Sequence, residues 1–216
     1  MTSAIMLAKV RTFLDEASAS YWTDTEVYAA LAHAQVACID VVLAVYKQRF
    51  QIDPDYELPD ELRVLTAFAG ASMSASALAL PSGFFWLVSA KWDHDASGDE
   101  EPCRIASQNR TFNARENNTY LAATSADPVA YVGVSAGGVQ SINFLPAYDT
   151  SATYSIVYLK YPTAIASGQE PTLPEGTHNA IVEYATYAML MKDQRPQEAQ
   201  VHFNIYLQEI KNLIGA

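Results

Sequence analysis

Trp22-Thr23-Asp24-Thr25-Glu26 fixes the start of a long helix, and the rest of the chain is most easily read outward from it. Thr23 and Glu26 have capping-box spacing: the Thr23 hydroxyl can accept from the Glu26 N–H while the Glu26 carboxylate reaches back to the cap. Trp22 and Val27 fall at the positions of a hydrophobic staple, which sets the angle at which the chain enters the helix. From Asp24 to Phe50 neither Pro nor Gly interrupts the sequence. Val27, Leu31, Ala34, Cys38, Val41 and Val45 form one apolar stripe at alternating steps of four and three. Tyr28, Ile39, Leu43 and Tyr46 form a second. A helix with two apolar stripes is expected to meet neighbours on two sides.

Upstream, Ile5, Met6, Ala8, Val10, Phe13 and Leu14 are spaced as in a helix over 2–17. Downstream, Gln51 to Glu57 is a loop. Leu58-Pro59-Asp60-Glu61 then opens a third helix, with proline in its tolerated first turn and acids near the positive end of the dipole. The Ala/Ser/Gly-rich residues 67–79 are expected to continue that helix and pack closely. Pro81-Ser82-Gly83 ends it. Strands are predicted over Phe85 to Trp92, Val129 to Val134, Val139 to Leu145 and Thr153 to Tyr161. Tyr120 to Ala123 reads as extended and Arg104 to Asn117 as a short helix. Ala136-Gly137-Gly138 turns the middle strands into a hairpin. Thr163 to Pro171 is a linker. Leu173-Pro174-Glu175 begins a helix to about Lys192 with Ile181, Tyr184, Ala185, Ala188 and Met191 inward. Pro196 starts the last helix, whose apolar positions include Ala199, Phe203, Tyr206, Ile210 and Leu213. The expected fold class is α+β, mainly a helical bundle built from both chain ends (1–80 and 166–216) around an inserted small antiparallel β unit (81–165).

Composition narrows the function. The 216 residues are half hydrophobic, enough for a sizeable core, and no unbroken apolar run is read as a membrane span. The N-terminus mixes Lys9, Arg11, Asp15 and Glu16 into its apolar pattern, unlike a signal peptide. Cys38 and Cys103 lack metal-type spacing and read as reduced thiols. A net charge of −11 argues against broad contact with nucleic-acid phosphates. It is compatible with simple solubility or with a wall past which DNA slides.

Chemical motifs are sparse. Gly133-Val134-Ser135-Ala136-Gly137 matches the G-x-S-x-G elbow, and Asp149 and His178 follow in hydrolase order. An elbow serine needs a strand before it and a helix after it, whereas here a second strand is expected. Asp93-His94-Asp95, near Asp99, Glu100 and Glu101, reads as a solvated acidic loop without calcium-loop spacing. His33, His178 and His202 each stand alone. No phosphate-binding loop, dinucleotide fingerprint or zinc grouping is present. Thirteen tyrosines beside only 17% charged residues suggest contact surface.

The order of these pieces resembles the head-to-tail adaptor (connector) proteins of tailed bacteriophages. The resemblance is carried by Trp22-x-Asp24-x-Glu26, the helix with Ala34-Gln35, Leu58-Pro59-Asp60-Glu61 and Phe144-Leu145-Pro146. It is strongest in Leu173-Pro174-Glu175 through Tyr184-Ala185, Lys192-Asp193 and the final helix. The resemblance implies a non-enzymatic virion protein of the neck, made in the host cytoplasm, without cofactor, metal or membrane. It further implies a closed ring of about twelve copies held by heterologous contacts. Such a ring sits beneath the portal protein, extends the DNA channel without sequence-specific binding, and receives tail or nozzle proteins. Trp22, Tyr28, Ile39, Leu43, Tyr46, Phe203, Tyr206, Ile210 and Leu213 are then the expected interface residues. Two other readings stay open: a virion or cell-surface binding module that recognises its target through the β insertion, and a serine hydrolase using Ser135.

Overall fold

The computed structural model describes residues 1–16, 21–52, 57–107, 122–134, 138–148 and 151–215. The chain is α+β and divides into two compact units, Met1–Leu65 with Tyr161–Ala216, and Thr66–Lys160.

The first unit is helical. Helix α1 spans Ser3–Phe13, with the Thr2 hydroxyl accepting from the Ile5 N–H at 3.3 Å. Helix α2 spans Asp24–Ile52 and the short α3 spans Asp60–Arg63. A 3₁₀ turn at Glu175–Thr177 leads into α4, His178–Lys192. Helix α5, Pro196–Ile214, begins on proline and ends at Gly215 in the left-handed conformation (φ 63°). Helix α4 is central, touching α5, α2 and α1. Its buried residues include Ala180, Ile181, Val182, Ala185, Met189 and Leu190, whereas the expected inward residue Met191 is exposed.

The first stripe of α2 is correct for its first half and then slips. Val27, Leu31, Ala34 and Cys38 are buried, but Val41 is 36% exposed and Val45 only half-buried, and Val42 and Tyr46 are buried instead. Alternating steps of four and three repeat every 3.5 residues, whereas the helix turns every 3.6. The buried face therefore drifts about 20° per heptad and moves on by a residue. By length and composition, Asp24–Phe50 is also apolar enough to cross a membrane, although His33, Gln35 and Asp40 interrupt its apolar run; 44% of its 18-residue apolar window is buried inside the protein.

Among its described residues, the second unit holds two four-stranded sheets. One has the order β1 (Thr66–Met73), β8 (Ala152–Lys160), β3 (Phe84–Asp93), β4 (Glu101–Pro102). The other has the order β2 (Ala77–Ala79), β7 (Gln140–Leu145), β6 (Val129–Val134), β5 (Arg104–Ile105). One core unites them: Leu87, Trp92, Ile156 and Tyr154 from the first sheet meet Ala130, Ile142 and Phe144 from the second. The Trp92 and Phe144 rings stack at 4.6 Å, and the Trp92 indole N–H donates to the Pro146 carbonyl at 3.1 Å, beside a cis Leu145–Pro146 bond.

Several expectations are overturned here. Residues 67–73 and 77–79 are strands, not the continuation of the third helix, which ends at Arg63. Ala67, Ala69 and Met73 face the core while Phe68, Gly70 and Ser72 face outward, a period of two. An eight-residue register with β8, from Thr66↔Leu159 to Met73↔Ala152, overrides the helical preference of alanine. Gly70 is not a weak spot in a helix but a close approach: a Cβ there would lie 3.0 Å from the Tyr154 carbonyl oxygen. Arg104–Ile105 is a strand, and it pairs with β6 in parallel, so the β unit is not wholly antiparallel. The remainder of the helix expected to Asn117 lies largely outside the described residues, as do Tyr120 and Leu121 of the extended segment and Ala136-Gly137 of the turn; Ala122 and Ala123 have no regular structure.

Candidate interaction surfaces

The start of α2 is built around a buried guanidinium. Arg11 projects from α1, and its Nη1 donates to Glu16 Oε2 at 3.0 Å. Its Nη2 donates to the Trp22 carbonyl at 2.9 Å and to the Asp24 carboxylate. The other Glu16 oxygen accepts the backbone N–H groups of Tyr21 and Trp22. Both Arg11 and Glu16 side chains are 9% exposed, so the pair is desolvated, and its further bonds reach the Asp24 carboxylate and the backbone entering α2. The capping box forms as read: the Thr23 N–H donates to Glu26 Oε2 at 3.1 Å and the Glu26 N–H to the Thr23 hydroxyl at 3.3 Å.

Lys192, at the end of α4, closes the arrangement. Its Nζ sits 4.6 Å from the centre of a Trp22 ring and donates to Glu26 Oε1 at 3.2 Å. The Thr23 N–H, followed by Lys192, holds the Glu26 carboxyl below the usual carboxylate range. Trp22 is thus fixed by groups from α1, α2 and α4. Sequence reasoning found the cap but missed Arg11 and Lys192, whose roles depend on contacts between helices.

The expected interface residues separate into two groups. Trp22, Ile39, Leu43, Tyr46, Tyr206 and Ile210 are buried within the chain itself. Tyr28, Phe203 and Leu213 are half-buried. The structure gathers several of them internally: Tyr206 lies edge-on to Tyr184 at 4.9 Å, and Phe203 packs on Tyr187 at 4.8 Å. The exposed apolar side chains of the helical unit include Val41 on α2 and Val201, Ile205 and Leu207 on α5, with Val201 57% exposed. Val201 and Ile205 lie four residues apart on one face of α5, a pair masked in the sequence by the stronger inward stripe.

The polar clusters serve the fold. Asp93 is buried, and its carboxylate accepts the N–H groups of Asp95 and Ser97 at 3.3 Å and of Gly98 at 2.8 Å. The Asp93-His94-Asp95 group could bring three ligand atoms within 4.8 Å of one another. Its one buried carboxylate, on Asp93, is engaged in closing the loop, so the expected solvated loop holds for the exposed Asp95 and not for Asp93. His178 Nε2 lies 2.9 Å from the Leu173 carbonyl and Nδ1 lies 2.8 Å from the Met1 amino nitrogen. Burial is the main cause lowering its pKa. His202 Nδ1 is 2.7 Å from Glu183 Oε2, and His33 is exposed. Burial pushes the Cys38 and Cys103 thiols up to about 12, and both are free. Ser135 and Asp149 lie outside the described residues, but the strands flanking Ser135, β6 and β7, are antiparallel partners. The helix that an elbow serine requires is replaced by a strand.

The described polar clusters brace backbone, and the helices carry apolar residues on exposed faces. The chain belongs to the SU10 adaptor protein family, whose model matches residues 1–216, in agreement with the phage head-to-tail adaptor class that the sequence resembles. No curated protein matches it significantly.

Proposed function

We propose that this chain is a head-to-tail adaptor of the virion neck, one copy of a closed ring beneath the portal that extends the DNA channel and receives tail proteins. The family match over the whole chain is the observation that carries this reading. In it, the helices from both chain ends act as a bundle that forms the ring scaffold, with about twelve copies joined by heterologous contacts. Tyr28, Phe203 and Leu213 meet the neighbouring copy together with Val41, Val201, Ile205 and Leu207. The buried Trp22, Ile39, Leu43, Tyr46, Tyr206 and Ile210 shape that surface from behind. A net charge of −11 supports a channel wall that repels DNA and lowers its friction.

The test is co-sedimentation of the purified chain with isolated portal rings. The expected outcome is a faster-moving complex that Val201→Asp and Ile205→Asp abolish without loss of helicity. A chain that stays monomeric beside portal rings, at concentrations where other neck proteins assemble, would overturn the proposal.

A further inference from the structure

The two sides of the β-sandwich end differently. One is closed by β4 and β5, each two residues long and carrying Glu101, Pro102 and Arg104. Short strands, charge and proline are the usual means by which a sheet edge is kept from pairing with other chains. The opposite side carries no charge, and although β2 there is only three residues long, β1 runs for eight without a proline. There β1 edges one sheet and β2 the other, joined by residues 74–76, so one continuous segment forms the whole margin. From Val64 to Ala90 the sequence contains no charged residue, in a chain with 37 of them. Among the described residues, no strand lies beyond β1 or β2.

In an antiparallel edge strand, alternate residues turn their N–H and C=O groups away from the partner, so roughly half of Ala67–Met73 presents backbone outward. Phe68, Gly70, Ala71 and Ser72 are exposed, Phe68 at 69%, and the Phe68 ring lies along the strand 3.3 Å from where a Gly70 Cβ would be. A groove of about 500 Å³ opens where this margin passes from β1 to β2. Ser76 and Ala77 line it together with Asn143, Leu145 and Tyr148.

We propose that β1, over residues 67–73, accepts an extended, uncharged segment of a partner protein as an added β-strand, with one apolar side chain of that segment seated in the groove beside Ala77. Backbone bonds along the edge supply affinity and the groove supplies selectivity, the division of labour of strand addition. A segment bearing charge would find no counter-charge along 64–90. The blunted β4 and β5 side offers no strand of matching length, so copies cannot extend the sheet head-to-tail through it. This docking is independent of ring formation by the helices.

The experiment uses the full chain and a fluorescent, end-blocked octapeptide, Thr-Val-Thr-Phe-Thr-Val-Thr-Val, followed by anisotropy and hydrogen exchange. The expected result is saturable binding with new amide protection within residues 67–73. N-methylation of alternate peptide residues, or Ser72→Lys in the protein, should weaken binding about tenfold or more. Ala77→Trp, which fills the groove from an exposed position, should weaken it without disturbing the fold. Absence of saturable binding, or equal binding by wild type and Ser72→Lys, would overturn the proposal. So would self-association of the wild type that Ser72→Lys dissolves, because the occupant would then be a second copy.

Discussion

The helical unit and the β-sandwich place their buried polar groups differently. In the helices, Arg11 and Glu16 form a desolvated ion pair whose spare bonds go to the backbone around Trp22. In the sandwich, the buried acid Asp93 accepts from three backbone N–H groups of its own loop. The first arrangement joins separate elements, so losing Arg11 takes the paired cation from the buried Glu16 carboxylate. The second closes a single turn, and the sandwich relies instead on aromatic stacking and strand register. Order in one unit depends on charge placed between helices, and in the other on close approach between strands.

The largest test of that contrast is Arg11→Leu. It strands the Glu16 carboxylate, and an unpaired buried charge costs about 3–5 kcal/mol. Urea denaturation followed by helical circular dichroism should show the loss, while Arg11→Leu combined with Glu16→Gln, which removes the charge but keeps an acceptor for the Tyr21 and Trp22 N–H groups, should recover much of it. If the single variant is as stable as wild type, the pair does not hold the α1–α2 junction. Next comes Trp22→Ala, at about 3 kcal/mol for a buried indole. It should weaken ring assembly more than it lowers overall helicity, and a wild-type assembly curve would remove Trp22 from that role.

Gly70→Ala probes the sandwich. Its new Cβ meets the Tyr154 carbonyl at 3.0 Å, an overpacking expected to cost about 1–3 kcal/mol. Faster hydrogen exchange should appear along β1 and β8 and not in α2. The smallest effect concerns pH. The folded Glu26 carboxyl titrates below its usual 4.5, so its contribution is present above that pH and lost as pH falls below it. The stability advantage of wild type over Glu26→Gln should therefore shrink on acidification, and an advantage unchanged by acid would show that Thr23 and Lys192 do not favour the ionised form.

Much of the helical unit was legible because its signals are local. The capping box lies within four residues, and the start of α5 is marked by Pro196. The slip of the α2 stripe after Cys38 was a matter of period, 3.5 against 3.6, and not of residue type. Residues 67–79 were illegible for a different reason. Alanine favours a helix there, and only pairing with distant strands, 67–73 with β8 and 77–79 with β7, makes them extended. Six of the nine residues expected at an interface are buried within the chain, and in sequence an apolar stripe looks the same whether its own chain or a neighbour covers it. Val201 and Ile205 carry the outward face in two positions, too few to stand out.

The central claim is assembly into a ring, and native mass measurement of the chain mixed with isolated portal tests it most directly. The account predicts a complex heavier than the portal by about twelve copies of the 23.6 kDa chain. A portal mass left unchanged, with the chain present only as monomer, would contradict it.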